Sequence, residues 1–376
     1  MWQRWTFFLA ILVMLTGRSG IGVASEPISP PPLIDVFTMG PGDDLFSSFG
    51  HAAICVTDEE SPLGRCYNYG TADFSTPGPL TWGVLRGHGQ FWVSVVGLPR
   101  MLLLYRLEDR TVYRQRLPLS PAQAGLLAQR LHQADRPEQT LYNYRHFDDN
   151  CTTRIRDLID DVTDGALRRD NLIADQPPLR ARVYDGFAAA PLLKTLSQLV
   201  LGRRVDASIT GWESMFLPDV LRAELASHLH APPEVVGSRV AALPPSSSLP
   251  PLLLWSLGGL VLLGLQLGGG RVGRGLAVAV LVLLALLPWS LLIVARLPEL
   301  RINEALLVMW PTDLLLLWPA LRRRYALVRL GALLLVFLGL LSGSLVQPLW
   351  GLLTLVALPL VAGLRKEATA LATYTR

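Results

Sequence analysis

Charge is scarce in this chain and unevenly spread. Of 376 residues only 17% are Asp, Glu, Lys or Arg, against 51% hydrophobic, a balance too apolar for an ordinary soluble protein of this size. Between Leu249 and Leu364 only eleven residues are charged, eight of them arginine. The chain therefore divides into a water-soluble part and a membrane part. The net charge of +4 is arginine set between hydrophobic segments, which is a topology signal, so no nucleic-acid partner is expected. Also missing are a Gly-x-Ser-x-Gly elbow and a phosphate-binding glycine loop, which sets aside serine-elbow hydrolysis and P-loop chemistry. No zinc-ligand spacing occurs: His228 and His230 alternate and point to different faces. No cofactor or metal is expected.

Cysteine is sparse too, with three residues, and their compartment decides how they are read. A short basic start at Arg4, an apolar run from Phe7 to Leu15 and the small residues Gly22-Val23-Ala24-Ser25 fit a secretory signal peptide over residues 1–25, an uncleaved anchor helix being the alternative. Either way the following domain, 26–242, is exported to an oxidising compartment. Cys55 and Cys66 lie on two strand-like runs joined by a turn-rich link, where they could bridge or simply be buried. Cys151 is then the odd thiol.

The exported part reads as α+β. Strands are expected at Leu33 to Phe37, Phe49 to Val56, Arg65 to Tyr69, Gln90 to Val96, Leu102 to Leu107 and Arg110 to Gln115. Ser120-Pro121 opens a helix through Leu131, and a second helix runs from about Asn150 to Leu167. Asp219 to Leu229 is amphipathic, while Trp212, Met215 and Phe216 suit either a core or a lipid surface. A Pro-Ser linker, 243–251, leads to an all-α membrane domain, 252–364, and a tail, 365–376. Five apolar segments are expected as spans, at about 252–268, 276–295, 305–320, 328–345 and 349–364. With the soluble domain outside, inner loops and tail hold nine basic residues (Arg271, Arg274, Arg322, Arg323, Arg324, Arg329, Arg365, Lys366 and Arg376) and outer loops two (Arg296 and Arg301), which places the tail in the cytoplasm. The third segment carries Glu304 at its edge and Asp313 within, beside Pro311 and Pro319. Such groups could line a polar cleft for a lipid head group, or serve a helix contact.

Cys151 follows Asn150 at the start of a segment whose Ile155, Leu158 and Ile159 fall at helical spacing. A helix N-terminus lowers a thiol's pKa, and the thiolate is the nucleophile. Such a nucleophile needs a base and a group to orient that base. His51, at a strand start after a glycine, can face a helix N-terminus, and Asn68 stands on the neighbouring strand. His146 and His88 are the weaker bases.

The runs Phe49-Gly50-His51-Ala52-Ala53-Ile54-Cys55-Val56, Tyr67-Asn68-Tyr69-Gly70-Thr71-Ala72-Asp73-Phe74 and Phe147-Asp148-Asp149-Asn150-Cys151-Thr152-Thr153-Arg154 resemble the periplasmic domain of the Lnb family of bacterial lipoprotein N-acyltransferases. That domain is similar to circularly permuted papain-like proteins such as lecithin:retinol acyltransferase, with the histidine ahead of the cysteine. Related permuted enzymes often use a second histidine where this chain has Asn68. The resemblance implies acyl transfer in the bacterial inner membrane, on its periplasmic side. Cys151 would take an acyl group from a membrane phospholipid as a thioester and pass it to the N-terminal amine of a bacterial lipoprotein. His51 and Asn68 would complete the catalytic set, and Asn150, Arg154, Glu304 and Asp313 would contact substrate, with Arg145 or Arg156 as further phosphate contacts. A membrane-anchored papain-like peptidase or amidase of the cell wall, and a non-catalytic assembly protein, remain as other classes.

Overall fold

Alternation of period two writes the sheet into the sequence: Ile34 and Val36 on one strand, and Ala52, Ile54 and Val56 on the next, fall on one face. The computed structural model of the chain describes residues 30–43, 47–136, 140–243 and 249–364. The expected signal peptide, the tail and linker residues 244–248 lie outside the described residues. Strands β1 (Leu33–Met39), β2 (His51–Thr57) and β3 (Arg65–Thr71) are followed by α1 (Pro77–Leu85), β4 (Gln90–Gly97), α2 (Leu98–Leu107), β5 (Val112–Arg116), α3 (Pro121–Ala134), β6 (Leu141–Asn143) and α4 (Cys151–Val162). Then come α5 (Leu179–Gly186), α6 (Pro191–Val200), α7 (Gly211–Ser214), α8 (Pro218–His228) and β7 (Glu234–Gly237). The strands form one seven-stranded sheet in the order β6-β4-β3-β2-β1-β5-β7, antiparallel at every pairing. The part of the chain that carries the sheet is thus mixed α/β.

Each face of the sheet carries its own core. Ile34, Val36, Ala52, Ile54, Val56, Tyr67 and Tyr69 pack against buried residues of α3, α4 and α8. Phe37, Met39, Ala53, Cys55 and Cys66 pack against Met101 and Tyr105 of α2 on the other side. Cys55 and Cys66 sit directly opposite one another on β2 and β3 and are joined as a disulfide. The expected strand at Leu102–Leu107 is instead the second half of α2. Pro99 starts that helix in its first turn, and Met101 and Tyr105, four apart, are buried while Leu103 between them is exposed, whereas a strand would put all three on one face. The cysteine helix stops at Val162, short of Leu167, because Asp164 and Gly165 take positive φ. Met215 and Phe216 are buried, and Trp212 packs against the first core.

The remaining helices are α9 (Pro251–Gly268), α10 (Gly270–Val294), α11 (Pro319–Leu341) and α12 (Trp350–Gly363). The first three are long and apolar enough to cross a membrane, and α12 is a shorter apolar helix. Five spanning helices are therefore not observed. The segment expected as the third span folds as 3-10 turns at Glu304–Leu307 and Pro311–Leu317, because Pro311 and Pro319 deny it a continuous hydrogen-bond ladder. It runs antiparallel along α11. The Glu304 carboxylate accepts from the N–H groups of Val346 and Gln347 beyond the end of α11, Asp313 meets Arg329 midway, and the Leu316 carbonyl accepts from Arg322 near its start. Arg329, counted above among loop charges, is 0% exposed inside this packing. Its charge is held by a carboxylate rather than by water.

The two parts share a core. Leu201, Phe216 and Leu217 pack with Leu291, Leu297 and Leu300 at the end of α10, and Phe147, in the loop leading into α4, packs against the same cluster. Backbone hydrogen bonds cross the seam: Gly202 N–H to the Glu299 carbonyl at 2.8 Å, and Arg296 N–H to the Leu85 carbonyl at 2.8 Å. The segment before Cys151 thus rests on the end of a membrane helix.

Candidate active site

A helix start exposes backbone N–H groups that need acceptors. Asn150 caps α4, its Oδ1 accepting from the N–H groups of Thr152 and Thr153 at 2.9 Å each. Its Nδ2 donates to the carbonyls of His146 at 2.8 Å and Phe216 at 2.9 Å. All four of its hydrogen-bonding positions are used, and it is 4% exposed. Asn150 therefore sets the position of Cys151 rather than presenting a free group to a substrate. Cys151, the first residue of the helix, is the free cysteine among the described residues.

His51 opens β2. Gly50 turns the chain into it at φ +81, where a Cβ would lie 2.7 Å from the Met39 carbonyl oxygen, so this turn requires glycine. Burial raises the Cys151 thiol, but the electrostatic influence of His51 beside it and hydrogen bonds from His51, the Ala52 N–H and the Thr152 hydroxyl outweigh that. Together they bring it from 9.0 down to about 7. Sequence reasoning paired these two residues across 100 positions (151 − 51), and the fold brings the His51 side chain into hydrogen-bonding contact with the thiol.

Asn68 is on β3, 8% exposed, and lines the same cavity as His51. Its Nδ2 donates to its neighbour's carbonyl, that of Cys66, at 3.4 Å, and no hydrogen bond joins it to His51 among the described residues. The ring nearest His51 is Tyr105 of α2, at 6.2 Å between centroids. His146 stands in an aromatic box of Phe49, Phe147 and Phe216, and burial lowers it from 6.5 to about 4. It is neutral there and unsuited to hold a thiolate. His88 is exposed on its turn.

Arg154 is held bidentate by Asp149, at 2.5 and 2.9 Å, with its guanidinium over the Tyr142 ring at 4.2 Å. Arg156 donates to the Trp212 carbonyl at 2.7 Å and lies over that ring. Arg145 is half-exposed beside Asp148. Glu304 is buried at the seam, 3.5 Å from Arg203, and Asp313 is paired with Arg329 among the membrane helices. These last two stand in packing of the membrane part and are not brought to the thiol by any contact among the described residues.

Tyr142 and Tyr144 were not singled out by sequence reasoning. Alternating along and just past β6, they fall on one side of the chain. Burial, and then the charge of the Cys151 thiolate, push both phenols above their ordinary value, so both remain protonated donors. The Tyr142 hydroxyl is buried, and its proton meets no acceptor among the described residues. A Cβ built on Gly70 would lie 3.6 Å from Cys151 Cβ and 3.9 Å from the Tyr142 hydroxyl, so the missing side chain leaves a gap shared by nucleophile and donor. The sequence clue was the Tyr-x-Tyr pair nine and seven residues ahead of the cysteine.

Residues 28–184 match the family model described as the Lnb N-terminal periplasmic domain, which covers less than half of the chain. No curated protein and no solved structure matches.

Proposed function

We propose, from the premise that residues 28–184 are an Lnb N-terminal periplasmic domain, that this membrane protein is a thiol acyltransferase of the periplasmic face of the bacterial inner membrane. The donor is a membrane phospholipid and the acceptor is the N-terminal amine of a bacterial lipoprotein. The observation that carries this reading is the Cys151–His51 pair at a capped helix start, one loop away from the end of a membrane helix. An ion pair so placed can meet an ester that never leaves the bilayer surface.

The Cys151 thiolate attacks the ester carbonyl carbon, forming the C–S bond and a tetrahedral oxyanion. The Cys151 backbone N–H at the helix start and the Tyr142 hydroxyl are the donors that face it. Collapse breaks the C–O bond, and the His51 imidazolium gives its proton to the departing lysophospholipid oxygen. The acceptor amine then attacks the thioester, His51 takes the amine's proton, the amide forms and Cys151 leaves as thiolate. Asn68 borders the same cavity as His51. A permuted papain-like ancestry fits this order of histidine and cysteine.

Incubation of the full chain with defined phospholipid tests the reading by intact mass. The expected result is an acyl-sized addition that hydroxylamine removes and that Cys151→Ala abolishes, with release of lysophospholipid. Absence of both the adduct and lysophospholipid would overturn it.

A further inference from the structure

A cavity of about 760 Å³ opens between the β2–β3 end of the sheet and α2, within the size range of small-molecule sites. Its inner wall is shared with the candidate active site. His51 contacts the thiol and lines the cavity, and Gly70 lines it with its Cα side toward Cys151. Tyr105, also in the wall, is pushed up by burial first, with Arg110 offsetting this and the charges of Glu108 and Cys151 adding to it. The cavity and the thiolate are therefore neighbours through three residues.

The outer wall is apolar. Leu103 and Leu104 of α2 line it while remaining 56% and 51% exposed, and Leu107 at its end is 76% exposed. Three leucines in five positions facing water on one short helix mark a surface built to be covered. Phe74, 47% exposed, lines the mouth. It lies three residues ahead of α1, whose last residue, Leu85, is hydrogen-bonded to Arg296 at the end of α10. The mouth thus connects through one nine-residue helix to the boundary of the membrane part. The wall also holds one buried cation. Arg110 is 5% exposed, donates to the Gly40 carbonyl and through Nη1 to the Glu108 carboxylate at 3.4 Å, yet its Nη2 has no hydrogen-bond partner among the described residues. A buried N–H of this kind calls for an oxygen.

We propose that this cavity holds the acyl chain of the donor phospholipid, with the chain along Leu103 and Leu104, the ester at the His51 end and Arg110 toward a head-group oxygen. The inference rests on the acyl-transfer reading and assigns it a binding site. Leucines of α2 give an extracted chain apolar surface in place of the bilayer, and Gly70 leaves the path to the thiol clear. An added side chain at Gly70, whose φ is +88, would stand between cavity and nucleophile.

The test uses the full chain carrying Cys151→Ala, reconstituted in phosphatidylethanolamine–phosphatidylglycerol vesicles with a trace of phosphatidylethanolamine bearing a mid-chain diazirine. After irradiation, labelled peptides are mapped by mass spectrometry. Label is expected within Leu98–Leu107 as well as on the lipid-facing helices. Leu104→Trp, which fills the cavity from an exposed position, should reduce the α2 label about tenfold, the equivalent of ~1.4 kcal/mol in binding. Label on α9 to α11 should stay constant in that variant and report that the protein is intact. Absence of label from α2 while the membrane helices are labelled overturns the proposal, as does an α2 label indifferent to Leu104→Trp. Label on α2 without a thioester on the unmutated protein would retire acyl transfer and leave the lipid cavity standing. A thioester without label on α2 would do the reverse.

Discussion

The Asp313 carboxylate and the Arg329 guanidinium meet at 2.7 and 3.1 Å in the middle of the membrane part, with side chains 1% and 0% exposed. The pair has further partners, although Arg329 Nη1 meets no acceptor among the described residues. Tyr325 donates to the same carboxylate, Arg329 also donates to the Val308 carbonyl, and its guanidinium lies over Trp310. This contact fixes a segment that its prolines bar from forming a continuous helix to the side of α11, where its freed backbone groups find partners.

Breaking that pair from one side should be costly. Asp313→Asn or Arg329→Met leaves one charge buried without its counter-ion, a loss of roughly 3–5 kcal/mol. Thermal unfolding in detergent should show either single variant well below the parent. The double variant Asp313→Leu/Arg329→Met should recover most of the difference, because no lone charge remains. Equal melting of single and double variants would mean that the pair does not hold the segment.

The thiol should titrate early. With Cys151 brought from 9.0 to about 7 against the opposing effect of burial, iodoacetamide alkylation should rise with pH through a midpoint near 7. His51→Ala removes the largest lowering influence while burial remains, with the Ala52 N–H and the Thr152 hydroxyl still opposing it, so its midpoint should move upward from about 7. Asn150→Ala should lose the cap, costing ~1–2 kcal/mol of stability, and raise the midpoint less than His51→Ala does. A parent midpoint near 9 would show that no ion pair forms.

How much of this could be read from residues alone depended on the range of the interaction. The cap at Ser120, the glycine before His51 and the cysteine at a helix start are local patterns, and each was legible, whereas Asn150 was expected at the substrate and caps the helix instead. The run Leu102–Leu107 was misread because an apolar stretch of six fits a buried strand as readily as a helix, and the deciding feature, Pro99, lies ahead of it. The 305–320 segment was counted as a span because hydropathy sums over a window and ignores the ladder that proline interrupts. Arg329 looked like a loop charge because its partner is sixteen residues away, on a segment whose path no local pattern gives. Tyr142 stayed invisible for a similar reason. Only the pairing of β6 with β4 and the bend at Gly70 bring its hydroxyl to the thiol.

Tyr142 therefore offers the sharpest separation of chemistry from structure. Its hydroxyl is buried, the Gly70 N–H is directed at its oxygen and its proton meets no acceptor among the described residues, so Tyr142→Phe removes no resting bond beyond that one contact. The fold should keep its melting temperature, since the ring still meets Arg154. Thioester formation from phospholipid should nevertheless fall by about 10²-fold, the usual cost of removing one oxyanion donor. Alkylation by iodoacetamide, a displacement at saturated carbon with no carbonyl oxyanion to stabilise, should proceed at nearly the parent rate. Parallel loss of both reactions would assign Tyr142 to holding the thiolate in place, and parallel retention would leave the oxyanion to the Cys151 backbone N–H alone.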